Sequence, residues 1–290
     1  MEQVQIKNNN LIVTINLRGA EVRSVRNATS GHEYMWCADP AIWSGVSPTL
    51  FPVVGKTSNG MIKFAGKEYP QGNHGFARSS MFKLIESSAQ TVSLQIITSE
   101  LGDIYPFNLA FTVSYSLEGN KLTTKYQVKN LDSQTAYFSV GAHPAFACPF
   151  DKQHKINDYV IEFEQNEPNL QRHGITTQAF FTGKVESESW QTLQLTPETL
   201  GDNTLVYANY QSKSVCLREA NSTRQIKVTL DGFPLLGLWS KIGGDYVCIE
   251  PWCGHSDLEG FTGNINDKAN IEIVHTNETW KRSYSIEFGY

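Results

Sequence analysis

The sequence predicts an all-β protein. Three observations predict it. Apolar and polar residues alternate with a period of two over most of the chain. Turn signals separate the alternating stretches at short intervals, and no stretch keeps a helical period over three turns. Alternation rich in Val, Ile, Thr, Tyr and Phe is the pattern of half-buried strands.

The elements follow in chain order. Leu11 to Leu17 opens the series. Met61 to Tyr69 reads as a hairpin turning at Ala65-Gly66-Lys67. Thr91 to Thr98, Ala110 to Leu117 and Lys121 to Val128 alternate next. Glu118-Gly119-Asn120 turns between the last two, and Asn130-Leu131-Asp132 follows them. Tyr137 to Phe146 alternates so that Tyr137, Ser139, Gly141 and His143 share one face of a regular strand. Thr196 to Gly201 is a short helix, with Pro197 at an early helical position. Gln225 to Leu230 is a further strand. Gly243-Gly244-Asp245 then turns into the apolar strand that begins at Tyr246. There is no linker, repeat or low-complexity tract. Residues 1–290 are therefore expected to form one domain, a large β-sandwich with few short helices.

Composition narrows the function. Of 290 residues, 40% are hydrophobic and only 18% charged, against about 25% charged in a typical domain. That excludes a disordered, solvating chain. Lys plus Arg is 24 and Asp plus Glu is 29, a net charge of -5. Such a chain has no general electrostatic pull on nucleic acid or anionic lipid. The first ten residues lack the basic start and apolar run of a secretory signal. Apolar stretches such as Phe233 to Trp239 fall far short of the ~20 residues of a membrane helix. Five cysteines at irregular spacing read as reduced thiols, and the expected location is the cytoplasm.

Polar residues interrupt apolar sequence at three places. In Asn73-His74-Gly75-Phe76-Ala77-Arg78, an imidazole and a guanidinium flank a glycine that lets a ligand approach the backbone. The competing reading is a loop histidine beside a surface arginine. His143 precedes Pro144, which ends its strand in extended geometry. Histidine suits proton transfer near neutral pH, while a core histidine bonded to a carbonyl is the alternative. Glu250 closes the apolar run Tyr246-Val247-Cys248-Ile249 and precedes Pro251-Trp252. A buried carboxylate must be paired, hydrogen-bonded or placed in a polar cleft. Burial raises its pKa towards that of a useful base; the alternative is a structural Glu tied to amides or an Arg. Cys248, Cys253 and His255 match no usual zinc spacing, and no metal is expected. Phosphate-cradling and nucleophile-elbow signatures are absent.

Five segments, taken together, resemble the aldose 1-epimerase (galactose mutarotase-like) family, and most closely its LacX-like branch. They are Leu50 to Lys56 (LFPVVGK), Asn73 to Arg78 (NHGFAR), Gly141 to Phe146 (GAHPAF), Phe233 to Trp239 (FPLLGLW) and Ile249 to Trp252 (IEPW). They occur in the family's order and span roughly residues 50–252. The resemblance implies a large antiparallel β-supersandwich with a sugar cleft on one face. It implies an isomerase that interconverts the α and β anomers of a hexose without a cofactor. His143 would be the general acid at the ring oxygen and Glu250 the base at the anomeric hydroxyl. His74 would assist at the ring oxygen or hold the sugar. Many relatives carry Arg where this chain has Lys56, which keeps the charge but not the planar two-pronged donor set. Asp202 resembles the family's acidic position in the second half. Arg78 matches the branch's HGFAR form and would contact a hydroxyl or a phosphate. The implied partner is a small sugar, phosphorylated or not, taken by a monomer or homodimer, with neither nucleic acid nor membrane involved. Two other readings stay open. One is a non-catalytic carbohydrate-binding protein on the same scaffold. The other is a glycoside hydrolase pairing Glu250 with a carboxylate such as Asp202, Asp231 or Glu162.

Overall fold

The alternation seen in the sequence becomes a buried and a solvated face in the folded chain. In a computed structural model that describes residues 2–201 and 204–289, Leu109–Glu118 buries Leu109, Phe111, Val113, Tyr115 and Leu117. Thr112, Ser114 and Ser116 point the other way and are half-buried. A two-residue turn at Gly119-Asn120 returns the chain as Lys121–Asn130, which sets Leu117 opposite Leu122. On the polar face, hydroxyls pair across strands. Ser93 meets Ser114 at 2.8 Å and Thr123 meets Ser285 at 2.8 Å. Such pairs help fix the register.

These strands belong to one antiparallel sheet of 15 strands. Its order begins at Thr49–Leu50 and runs through Val140–Ala142, Tyr246–Cys253, Leu235–Trp239, Leu205–Ala208 and Tyr159–Ile175. It continues through Ser214–Glu219, Gln225–Thr229, Thr279–Phe288, Lys121–Asn130, Leu109–Glu118 and Thr91–Ile97 to Lys83–Ser87. Ala145–Ala147 adds to Tyr246–Cys253, and Phe181–Gln194 adds to Tyr159–Ile175. Open sheets beyond about ten strands curl or split into packed layers. Here a separate three-stranded sheet, Gln3–Lys7, Leu11–Asn16 and Glu21–Asn27, packs into the same core. One buried apolar cluster runs from Ile6 through Phe111 and Val247 to Phe288.

At its centre Phe51 stacks on Phe111 with ring centroids 4.1 Å apart and planes 13° off parallel. Phe111→Ala is expected to cost about 3–5 kcal/mol, read as a lowered urea midpoint with an unchanged m-value.

The Met61–Phe64 and Lys67–Pro70 hairpin forms as expected. So does the helix, a single turn at Pro197–Leu200, whose cap Thr196 accepts the Thr199 N–H at 3.1 Å. Tyr137 to Phe146 is not one regular strand; it breaks into Ala136–Phe138, Val140–Ala142 and Ala145–Ala147. The Ser139 N–H leaves the ladder to donate to the Pro52 carbonyl at 2.7 Å. Tyr137 pairs instead with Ile273 in a two-stranded sheet of its own. All five cysteines are free thiols. Among the described residues no helix is long and apolar enough to cross a membrane.

Candidate active site

The strand Tyr246–Cys253 is buried at every position. It has neighbours on both sides: Leu235–Trp239 on one, Val140–Ala142 and Ala145–Ala147 on the other. A strand so placed reads as a continuous apolar run. Its alternation still sorts the side chains. Val247 and Ile249 pack into the main core, whereas Cys248, Glu250 and Trp252 face the other way. Glu250 thus projects from the sheet interior, 1% exposed. Its strand partner is Gly237. A Cβ at Gly237 would sit 2.8 Å from the Trp252 ring and 3.2 Å from the Glu250 Cβ, so only glycine leaves both side chains their places.

His143 stands between Ala142 and the proline that ends the strand. Its ring stacks on Trp43, with centroids 5.1 Å apart, and meets the Trp239 ring edge-on at 5.5 Å. Its Nε2 lies 3.4 Å from Glu250 Oε2. Both Glu250 oxygens and His143 Nδ1 are buried without a hydrogen-bond partner among the described residues. Burial pushes the Glu250 carboxyl well above its ordinary range, and the nearby Trp252 indole offsets only part of this. Burial also pushes His143 well below its ordinary value, and the neighbouring His74 and Arg78 push it the same way. Both shifts disfavour the charged forms of the two side chains.

His74 is held from both sides by one residue. Its N–H donates to the Gly55 carbonyl at 2.8 Å, and the Gly55 N–H donates to His74 Nδ1 at 3.0 Å. An Nδ1 that accepts carries no proton, so the ring is neutral with its hydrogen on Nε2. Burial, and then the Arg78 charge, hold its pKa at about 3. The ring meets His143 edge-on at 5.5 Å. Gly75 makes this loop possible. Its φ is +74°, and a Cβ there would lie 2.3 Å from the Phe51 carbonyl oxygen. Gly75→Ala is expected to cost at least about 1–3 kcal/mol and to lower Tm by several degrees in a thermal melt.

His74, Arg78, His143 and Glu250 line one cavity of about 480 Å³. That volume falls within the ~300–1,000 Å³ usual for small-molecule sites. Trp43, Trp239, Trp252 and Phe181 supply flat apolar walls. A larger cavity of about 920 Å³ lies beside Phe150 and Asp151, and its Asp151 and His154 are already engaged with each other. There Asp151 accepts from Arg224 at 2.7 Å and bonds to His154 at 2.7 Å.

Lys56 lines a shallower neighbouring cleft, which shares Asn73 with the central cavity. Its backbone is fixed by its surroundings. The N–H donates to Ser256 Oγ at 3.0 Å, and the carbonyl accepts from the Asp257 N–H at 2.9 Å. Asp202 lies outside the described residues; Thr204 lines the cavity. Cys253 and His255 do not join Cys248. Cys253 lies among the Glu272 and Arg282 charges, while His255 donates from Nδ1 to the Ser256 carbonyl at 2.6 Å and stacks on Phe181. Trp43, Ser256 and Lys241 were not among the sequence-derived candidates. Trp43 sits in an irregular loop with no period to mark it, and only the tertiary fold brings it onto His143.

The aldose 1-epimerase family profile matches residues 2–270. The chain belongs to the aldose 1-epimerase family. Within it, the chain is similar to the plasmid-encoded protein LacX of Lactococcus lactis subsp. lactis, 32% identical over 298 aligned positions that cover 98% of each chain. In structure it is similar to a galactose mutarotase related enzyme from Lactobacillus acidophilus, with a TM-score of 0.94 at 28% identity over 100% of this chain and 98% of that one. It is also similar to a galactose mutarotase-like protein from Lactobacillus casei ATCC 334, with a TM-score of 0.92 at 28% identity over 99% of each chain. The large antiparallel sheet is thus the aldose 1-epimerase fold.

Proposed function

We propose that this aldose 1-epimerase family member is an isomerase that interconverts the α and β anomers of a hexose. The observation that carries the reading is the His143–Glu250 pair, 3.4 Å apart and open to a cavity of sugar size. Ring opening needs a base at the C1 hydroxyl and an acid at the ring oxygen, acting together on one small ring. Glu250, as carboxylate, takes the C1 hydroxyl proton. The freed electron pair forms the C1 carbonyl as the bond from C1 to the ring oxygen breaks. That oxygen takes the proton from His143. The aldehyde end turns by about half a rotation, and the reverse transfers close the ring on the other face. Across the opening step one proton passes from His143 to Glu250 through the sugar, so the pair holds the same number of protons throughout. A neutral pair and an ion pair of these two groups differ only in where that proton sits.

His74 takes a different role from His143. With Nδ1 occupied by the Gly55 N–H it offers a fixed Nε2–H, a neutral donor suited to holding a sugar oxygen. The tryptophan walls suit the apolar face of the ring.

A glycoside hydrolase needs a second carboxyl group, about 5–5.5 Å or 6.5–9.5 Å away according to mechanism. Among the described residues Glu250 is the only carboxylate lining the cavity. Glu162 is engaged instead by Arg218 at 2.7 and 3.0 Å. The test is polarimetry on freshly dissolved α-anomers of a panel of aldoses. Acceleration above the spontaneous rate is expected for at least one hexose. Sugar binding in calorimetry with no acceleration would replace the enzyme with a binding protein.

A further inference from the structure

Cys248 lies on the face of its strand that also carries Glu250, two residues further on. His143 closes over the pair. One candidate ligand atom from each of His143, Cys248 and Glu250 lies within 4.8 Å of the other two. All three residues are buried, and both oxygens of the Glu250 carboxyl lack a partner. The mechanism above uses the imidazole and the carboxyl but leaves the thiol without a task.

Imidazole nitrogen, thiolate sulfur and carboxylate oxygen are the donor types that hold zinc. Two such nitrogen and oxygen ligands, each about 2.0–2.1 Å from a tetrahedral centre, stand about 3.3 Å apart. His143 Nε2 and Glu250 Oε2 are 3.4 Å apart. Three protein ligands leave a fourth position open, and two of the three, His143 and Glu250, line the cavity. A thiolate in the set selects against calcium and magnesium, which take oxygen ligands in larger number.

We propose that His143, Cys248 and Glu250 form a binding site for one thiophilic divalent cation of the zinc class. As the metal–sulfur bond forms, the thiol proton passes to solvent. The carboxyl gives up any proton it holds, and the imidazole donates a lone pair. No electron is transferred. The cation occupies the same side chains as the sugar, so each excludes the other. That competition rests on the function proposed above; the metal site does not.

The test titrates Co²⁺, as a spectroscopic probe for zinc, into the full chain. A thiolate-to-cobalt charge-transfer band in the near ultraviolet is expected at one equivalent, with intense visible bands of a tetrahedral ion. Zn²⁺ should abolish both. Cys248→Ser and Cys248→Ala should each lose the charge-transfer band. Loss of an outer-sphere partner alone weakens metal sites about 10–100-fold, so these variants should bind Zn²⁺ at least about 10²-fold more weakly. Cys37→Ala and Cys253→Ala should keep the band. Its absence in the wild type, or its survival in Cys248→Ser and loss in Cys37→Ala, overturns the site. Should both Cys248 variants unfold, His143→Asn and Glu250→Gln carry the test, and unchanged Zn²⁺ affinity in both overturns it. None of these readouts requires turnover. A protein that binds cobalt through Cys248 but leaves mutarotation unaccelerated refutes the isomerase alone.

Discussion

Glu250→Gln and His143→Ala are each expected to slow anomer interconversion by at least about 10²-fold, since a positioned acid or base typically contributes about 10²–10⁴. Gln keeps the size of the side chain and its fit between Gly237 and Trp252, but its amide cannot take a proton. The loss should therefore fall on kcat and leave KM within a few-fold. The double variant should lose little more than either single one, because the two groups act as a unit on one proton. Polarimetry of a freshly dissolved α-anomer measures all three. A near-wild-type rate in either single variant would sink the assignment of that residue.

The second large effect lies next to the segment bearing Gly55, the residue that holds His74. Asp257 forms a buried ion pair with Lys268; the two residues are 4% and 8% exposed. The carboxylate also accepts the Ser58 N–H at 2.7 Å, and the Asp257 backbone binds Lys56 and Phe181. One side chain thus ties the segment bearing Gly55 to the last third of the chain. Asp257→Ala strands the Lys268 ammonium in a buried site and should cost about 3–5 kcal/mol. At about 2–4 °C per kcal/mol, Tm should fall by roughly 6–20 °C. Pairing Asp257→Leu with Lys268→Met should recover most of the loss, because removing both charges also removes the desolvation penalty. A single variant within about 1 kcal/mol of wild type would show that the pair behaves as an exposed one.

Strand identity was legible in the sequence because a half-buried strand writes its two faces into alternate residues. That holds for Leu11–Asn16, Leu109–Glu118 and Lys121–Asn130. It failed at Tyr137 to Phe146, where the ladder is interrupted by a contact 87 residues away in sequence, Ser139 to Pro52. No local pattern announces such a contact. Three of the candidate site residues, His74, His143 and Glu250, stood out because each is polar within apolar sequence, and the fold gathers them in one cavity. Lys56 stood out only through the family resemblance, yet its surroundings fix it through the backbone, and it lines the next cleft. Trp43 was hidden for the opposite reason, and Cys248 stood out only beside Cys253 and His255, its neighbours in sequence. Apolar residues among apolar neighbours look like core until the third dimension shows what they touch.

The placement of Glu250 on a fully buried strand has a consequence for amide hydrogen exchange. The amide hydrogens of Val247, Cys248, Ile249, Glu250 and Trp252 lie on a strand that is buried at every position and flanked by other strands of the sheet; Pro251 carries none. Their protection should match that of global unfolding, the ceiling set by the most stable core elements. The loops carrying Trp43 and Lys241, which close over the same cavity, should exchange orders of magnitude faster. Glu250 is then held by a slow-exchanging strand, while part of the cavity lining comes from fast-exchanging loops.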